Sequence, residues 1–187
     1  MGHRVCPWWL GYFLASPLRR LLGQDPTEIV GPYVRNGMTV LEPGPGMGFF
    51  TLELARLVGP SGRVIAVDVQ PRMIAGLKRR LAKAGLSDRV DARISPPDSM
   101  ALNDLAGKID FALVMAVAHE MPSADRLFSE AAAAMKPGAT LLLAEPAGHV
   151  KEELFAKELQ AAAQAGFAVV ERPMIRRSQA VLMEKAT

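Results

Sequence analysis

Cysteine is almost missing from this chain of 187 residues, with Cys6 the single thiol. One cysteine excludes an intramolecular disulfide framework and any metal site built from several thiolates, and no metal is expected. Aromatic residues are also sparse, at 6%. No run of about 20 consecutive apolar residues is present, so no membrane-spanning helix is expected. Charge of either sign is nearly balanced, with 22 Lys plus Arg against 19 Asp plus Glu for a net +3. With no long basic block, that surplus does not mark a nucleic-acid binder. Repeats and low-complexity linkers are lacking too. What remains is 50% hydrophobic and 22% charged, ordinary globular usage with enough apolar material for a core. The expectation is one domain, soluble and cytoplasmic.

The few aromatics are concentrated early, where Trp8, Trp9, Tyr12 and Phe13 fall within a short apolar stretch. A basic start followed by an apolar run has the outline of a signal peptide, but Arg19 and Arg20 follow at once without a clear processing site. Residues 1–37 are therefore read as an N-terminal helical segment, packed on the domain or acting as a lid over a substrate pocket. Peripheral membrane contact by an interfacial helix is the alternative. A second helix-like piece begins at Asp25.

Beyond residue 37 strand-like and helix-like stretches alternate. Strands are expected at 38–41, 63–67, 89–94, 109–118, 139–144, 167–171 and 178–184. Helices are expected at 49–58, 71–84, 122–135 and 151–165. In the helix over 71–84, Met73, Leu77 and Leu81 share a face, and Gly85 sits at the stop position. In the helix over 151–165, Leu154, Phe155, Leu159 and Ala162 should point inward. Lys136-Pro137-Gly138 reads as a turn. The short link at Pro173 suits an antiparallel final pair, whereas the earlier strands are joined by helices. The pattern predicts an α/β fold: a three-layer Rossmann-like sandwich on a seven-stranded, mostly parallel sheet with an antiparallel last strand.

The sharpest feature is Val40-Leu41-Glu42-Pro43-Gly44-Pro45-Gly46-Met47-Gly48, which leaves the first strand and enters a helix. Such a turn lets backbone approach a ligand at the carboxyl edge of a sheet. Asp68 ends the next strand, 20 residues after Gly48, where a carboxylate can accept hydrogen bonds from two ribose hydroxyls. The spacing is G-x-G-x-G and not the dinucleotide pattern G-x-G-x-x-G, because Phe49 stands where the third glycine would be. The lack of a G-K-[ST] arrangement excludes a phosphate-binding P-loop.

From about Met38 onward the chain resembles the class I S-adenosylmethionine-dependent methyltransferases. Glu42 to Gly48 is similar to their first motif and Val64 to Asp68 to their ribose motif. Asp110 to Pro122 is similar to the fourth-strand motif, and Met135 to Pro146 to the turn and fifth strand. The resemblance makes 38–187 the methyltransferase domain, with S-adenosylmethionine as cofactor and S-adenosylhomocysteine as product. It implies that Glu42 helps hold the methionine amino group, and that Gly44, Pro45 and Gly46 form the loop beside the methionine part. Asp68 would take the ribose hydroxyls, with Val69 beside the adenine. Asp98, or Ser95, would meet the adenine amino group, and Ala116 would lie beside the cofactor at the end of the fourth strand. Asp98 could instead cap the next short helix.

Methyl transfer from a sulfonium needs positioning and exclusion of water, and a base only when the acceptor is protonated. His119 and Glu120, where this fold opens to substrate, are the candidate catalytic pair, with Glu145 and His149 further candidates. The alternative for each is a structural, capping or solvated loop residue. The arginine pairs, Arg79/Arg80 among them, read as solvated faces. Enzymes that methylate base amino groups carry an Asn or Asp-Pro-Pro-aromatic motif after the fourth strand, whereas this chain has Ala118-His119-Glu120-Met121. A small-molecule acceptor is therefore expected. RNA or protein methylation, or cofactor binding without catalysis, is the alternative, and nothing in the sequence speaks to oligomeric state.

Overall fold

A computed structural model describes residues 24–186. The early aromatic segment, with Cys6, Trp8 and Trp9, lies outside the described residues, and so does the lid expectation attached to it. Residues 24–95 form one compact unit and residues 96–186 another. Their seven strands form one sheet in the order 3-2-1-4-5-7-6, the Rossmann-like α/β arrangement expected, with β7 as the antiparallel strand.

In the first unit, α1 (Pro26–Val30) starts where Asp25 accepts a hydrogen bond from the Thr27 N–H at 2.9 Å, with proline at its first position. Strand β1 (Thr39–Pro43) pairs in parallel with β2 (Arg63–Asp68), which pairs in parallel with β3 (Val90–Ile94). Strand β1 runs two residues past the expected end, because Glu42 and Pro43 stay in register with Ala66 and Val67. Helix α2 (Thr51–Leu57) starts later than the sequence suggests, since the glycine turn continues through Phe50. Helix α3 (Pro71–Ala84) has the predicted bounds, and Gly85 closes it in the left-handed conformation at φ 67°. Met73, Leu77 and Leu81 are buried as expected.

In the second unit, β4 (Ile109–Met115) is almost continuously buried, as a parallel strand covered on both faces should be. Helix α4 (Ala124–Ala134) is capped by Ser123, whose hydroxyl accepts from the Arg126 N–H at 3.2 Å. Strand β5 (Met135–Pro146) takes in Lys136-Pro137-Gly138, which sequence patterning assigns to a turn. Ile109 opposes Met135 while Phe111 opposes Thr140, so the extra residues form an irregularity inside the pairing. Helix α5 (Glu152–Gln164) buries Phe155, Glu158, Ala161 and Ala162. Leu154, expected inside, is 42% exposed, and Leu159 is half-buried. The buried stripe is shifted around the helix and takes in a glutamate. Strands β6 (Phe167–Glu171) and β7 (Ser178–Lys185) complete the antiparallel edge.

The glycine turn has different tolerances along its length. Gly48 has φ 86°, and an added Cβ would lie 2.5 Å from Leu77 Cδ1, whereas a Cβ on Gly46, at φ 53°, would meet nothing within 4 Å. Gly48→Ala should cost about 2–4 kcal/mol, left-handed strain plus overpacking, and Gly46→Ala about 1–2 kcal/mol of strain alone. Urea unfolding of the two variants checks the order, and equal losses would contradict it.

Candidate active site

In the first unit, Glu42 is the fourth residue of β1 and is 4% exposed. Burial pushes its carboxyl up to about 7, the Thr51 side chain beside it pulls the other way, and the charge of Asp68 adds to the rise. Neither Glu42 Oε2 nor the Thr51 hydroxyl completes a hydrogen bond among the described residues. The turn that follows is held from two directions. The Gly44 N–H donates to the Val67 carbonyl at 2.8 Å, and the Gly48 N–H donates to the Pro45 carbonyl at 2.9 Å. From α3, Arg80 donates to the Met47 carbonyl at 2.5 Å, and the absence of a side chain on Gly76 admits Met47. Arg80, read from sequence as part of a solvated face, is a tether of the loop, and partial burial lowers its pKa. Phe49 packs edge-on to Phe50 with ring centroids 5.1 Å apart, and close approach to α3 falls on Gly48 instead.

Asp68 closes β2 at 8% exposure, and its Oδ1 accepts from the Gln70 N–H at 2.8 Å. Its carbonyl accepts from the Ser95 N–H at 3.1 Å, which brings buried Ser95 to the same strand edge. Val69 is half-buried beside it. Glu42, Gly44, Pro45, Gly46, Asp68, Val69 and Ser95 thus fall in one compact unit.

In the second unit, Asp98 is largely exposed and pairs with Arg126 at 3.3 Å. It does not cap the short turn Asn103–Leu105, which carries no side-chain cap. Ala116 takes φ 55°, unusual for a residue with a Cβ, and its N–H donates to the Ala144 carbonyl at 2.8 Å. It turns the chain at the end of β4 into the turn Ala118–Glu120. There, His119 Nδ1 meets Glu145 Oε2 at 2.5 Å, and Glu145 Oε1 accepts from the Ala118 N–H at 2.8 Å. The Glu145 side chain is fully buried at the end of β5. Glu120 lies 4.0 Å from His119 Nε2, and the His149 ring stands edge-on to His119 with centroids 5.1 Å apart.

Burial is the largest single influence on His119 and lowers its pKa. The hydrogen bond and charge of Glu145, then the charges of Glu120 and Glu158, outweigh it, so the net shift is upward. Glu158, which the sequence reading missed, is 1% exposed with both carboxylate oxygens unpartnered among the described residues. Burial and the charge of Glu145 push it up to about 7, against the pull of His119. Its one sequence signal is its place three residues after Phe155 and three before Ala161, on the inward stripe of α5.

A histidine raised by its partner stabilises the fold fully below its ordinary pKa, and that contribution is lost as pH rises through the raised value. Glu145→Gln removes the strongest opposing influence and leaves the burial, so the His119 pKa should fall. An NMR titration of the imidazole checks this, and an unchanged or higher value would contradict the pairing.

A structure from Aquifex aeolicus, titled a SAM-dependent methyltransferase, superposes with TM-score 0.85 at 24% identity, covering 96% of this chain and 99% of that one. The ubiquinone/menaquinone biosynthesis C-methyltransferase UbiE of Hydrogenovibrio crunogenus is 27% identical over 128 residues, 68% of this chain and 49% of that protein. The ribosomal protein L11 methyltransferase of Pelotomaculum thermopropionicum is 33% identical over 148 residues, 78% of this chain and 43% of that protein. The chain spans less than half the length of these two relatives. Among the described residues no helix is long and apolar enough to cross a membrane, and no cluster of His, Cys, Asp or Glu could hold a metal ion. Residues 35–181 match the family described as a methyltransferase domain, and the chain belongs to the class I S-adenosylmethionine-dependent methyltransferases.

Proposed function

We propose that this protein transfers a methyl group from S-adenosylmethionine to a small-molecule acceptor. The observation that carries the reading is the edge formed by β1 and β2. Among the described residues Glu42 offers a buried carboxylate oxygen without a partner, and the backbone at Gly46 faces open space. Asp68 stands nearly buried at the end of β2. These groups fit the cofactor: an ammonium satisfies Glu42, a bulky tail passes Gly46, and ribose hydroxyls donate to Asp68. When bound, the cofactor supplies an electrophilic methyl on a sulfonium.

In this proposal Gly44 and Pro45 shape the loop, with Val69 and Ser95 bordering the adenine side. Asp98 and Ala116 keep the cofactor role implied by the resemblance, although Asp98 shares its acceptor capacity with Arg126. A hydroxyl acceptor would give its proton to His119 Nε2, while Glu145 steadies the resulting imidazolium at Nδ1. Glu120 would add negative charge near Nε2. A small acceptor is supported by the Ala118-His119-Glu120-Met121 stretch, which lacks the clamp used for planar base amino groups. A cytoplasmic setting belongs to the same proposal, on the near absence of cysteine.

Calorimetry with S-adenosylhomocysteine should give saturable binding that Asp68→Ala weakens at least tenfold. Binding of NADH in its place would overturn the reading. Label from the methyl group should pass to a component of a small-metabolite extract and stop with His119→Ala. Label appearing only in RNA or protein would contradict the small acceptor.

A further inference from the structure

The second unit contains a pocket of about 450 Å³ between the turn after β4, the start of α4 and the face of α5, and its walls include His119, Met121, Asp125, Leu154, Lys157 and Glu158. Two features of the wall are unexplained by folding. Glu158 is 1% exposed, yet neither of its oxygens has a hydrogen-bond partner among the described residues. Burying a carboxylate in that way costs free energy unless something completes it. Leu154, one turn earlier on α5, is 42% exposed and lines the same pocket. An apolar side chain at a pocket wall offers contact area to a ligand with a hydrocarbon body.

The sign of the ligand follows from the groups around Glu158. Glu145 lies behind His119 and is committed to it and to the Ala118 N–H. Glu120 stands beside His119 Nε2, and Asp125 faces the pocket from α4. Against these three carboxylates and Glu158 itself stand His119 and the exposed Lys157. The surroundings are acidic on balance, and an anion would be repelled where a cation would complete Glu158.

We propose that this pocket binds a small organic ammonium ion, its charged nitrogen donating to Glu158 and its aliphatic body lying against Leu154 and Met121. The inference goes beyond methyl transfer and does not rest on it. Glu158 loses its proton near pH 7, and His119 loses positive charge as pH rises, so both changes favour the cation at higher pH. An alkylamine, like a lysine side chain, stays charged throughout that range.

The probe is butylammonium chloride, titrated into isotope-labelled full-length protein and followed by amide chemical shifts, with sodium butyrate as the counterpart of opposite charge. Saturable shifts should centre on residues 118–125 and 154–161 with butylammonium and be absent with butyrate. Affinity should rise about tenfold from pH 6 to pH 8, as one carboxyl with a pKa near 7 ionises. Glu158→Gln should weaken binding at least tenfold, and Asp125→Asn two- to threefold. If Glu158→Gln does not fold, the pH series on the unaltered protein and the Asp125→Asn titration still decide. Equal response to butyrate, an affinity independent of pH, or undiminished binding by a folded Glu158→Gln protein would each overturn the proposal.

Discussion

The backbone must leave a buried strand, reverse and enter a helix between Pro43 and Thr51, and the residues able to do so shape the carboxyl edge of β1. Gly44, Gly46 and Gly48 all lie in the left-handed region, at φ 63°, 53° and 86°, which residues with a Cβ adopt only at a cost. The three glycines are not equivalent. Gly48 is constrained twice, by its φ of 86° and by the Leu77 and Leu52 side chains, which would have to shift to admit a Cβ. Gly46 has no such neighbour among the described residues, and that openness is the property a bound molecule can use. Proline at 43 and 45 removes two N–H groups from the turn, which narrows its options while leaving little backbone to cradle a phosphate. The loop is then fixed from α3 by the Arg80 bond to the Met47 carbonyl.

Carboxylates at strand ends are the second organising element. Asp68 is the last residue of β2, Glu42 and Glu145 are the last but one of β1 and β5, and all three are buried. Each resolves the cost of burial differently. Asp68 accepts a backbone N–H. Glu145 is satisfied by a backbone N–H and an imidazole, which makes His119 and Glu145 a unit. Glu42 is left with an oxygen unpaired among the described residues and a pKa raised to about 7, a state that an incoming cation would relieve. Perturbed acids at the carboxyl edge of a parallel sheet are where ligand chemistry is concentrated in this class of fold.

Much of this was legible in the sequence because local signals agreed. Pro71 and Gly85 bracket α3 with the stop residue in its required conformation, and the unbroken apolar run of β4 announces a strand covered on both faces. The phase of α5 was not legible. Its alanine-rich second half carries little directional signal, so apolar spacing alone points Leu154 inward and does not distinguish Glu158. Lys136-Pro137-Gly138 has the chemistry of a turn, but pairing to β4 on one side and β7 on the other retains the surrounding residues in a strand. His119 and Glu145 could be singled out separately. Their hydrogen bond depends on parallel pairing of β4 and β5 across 26 residues of sequence, and no local pattern encodes it. Arg80 was hidden for the same reason: its partner Met47 lies 33 residues away.

The central claim is that the β1–β2 edge, shaped by the glycine turn, is a cofactor cradle. It is tested most directly by solving the structure of the full chain with S-adenosylhomocysteine. The account predicts the amino group at Glu42, the ribose hydroxyls at Asp68, and the methionine portion passing Gly46 without displacing Met47 from Gly76. A ligand seated away from Glu42 and Asp68, or a turn that must unfold to admit it, would contradict the account.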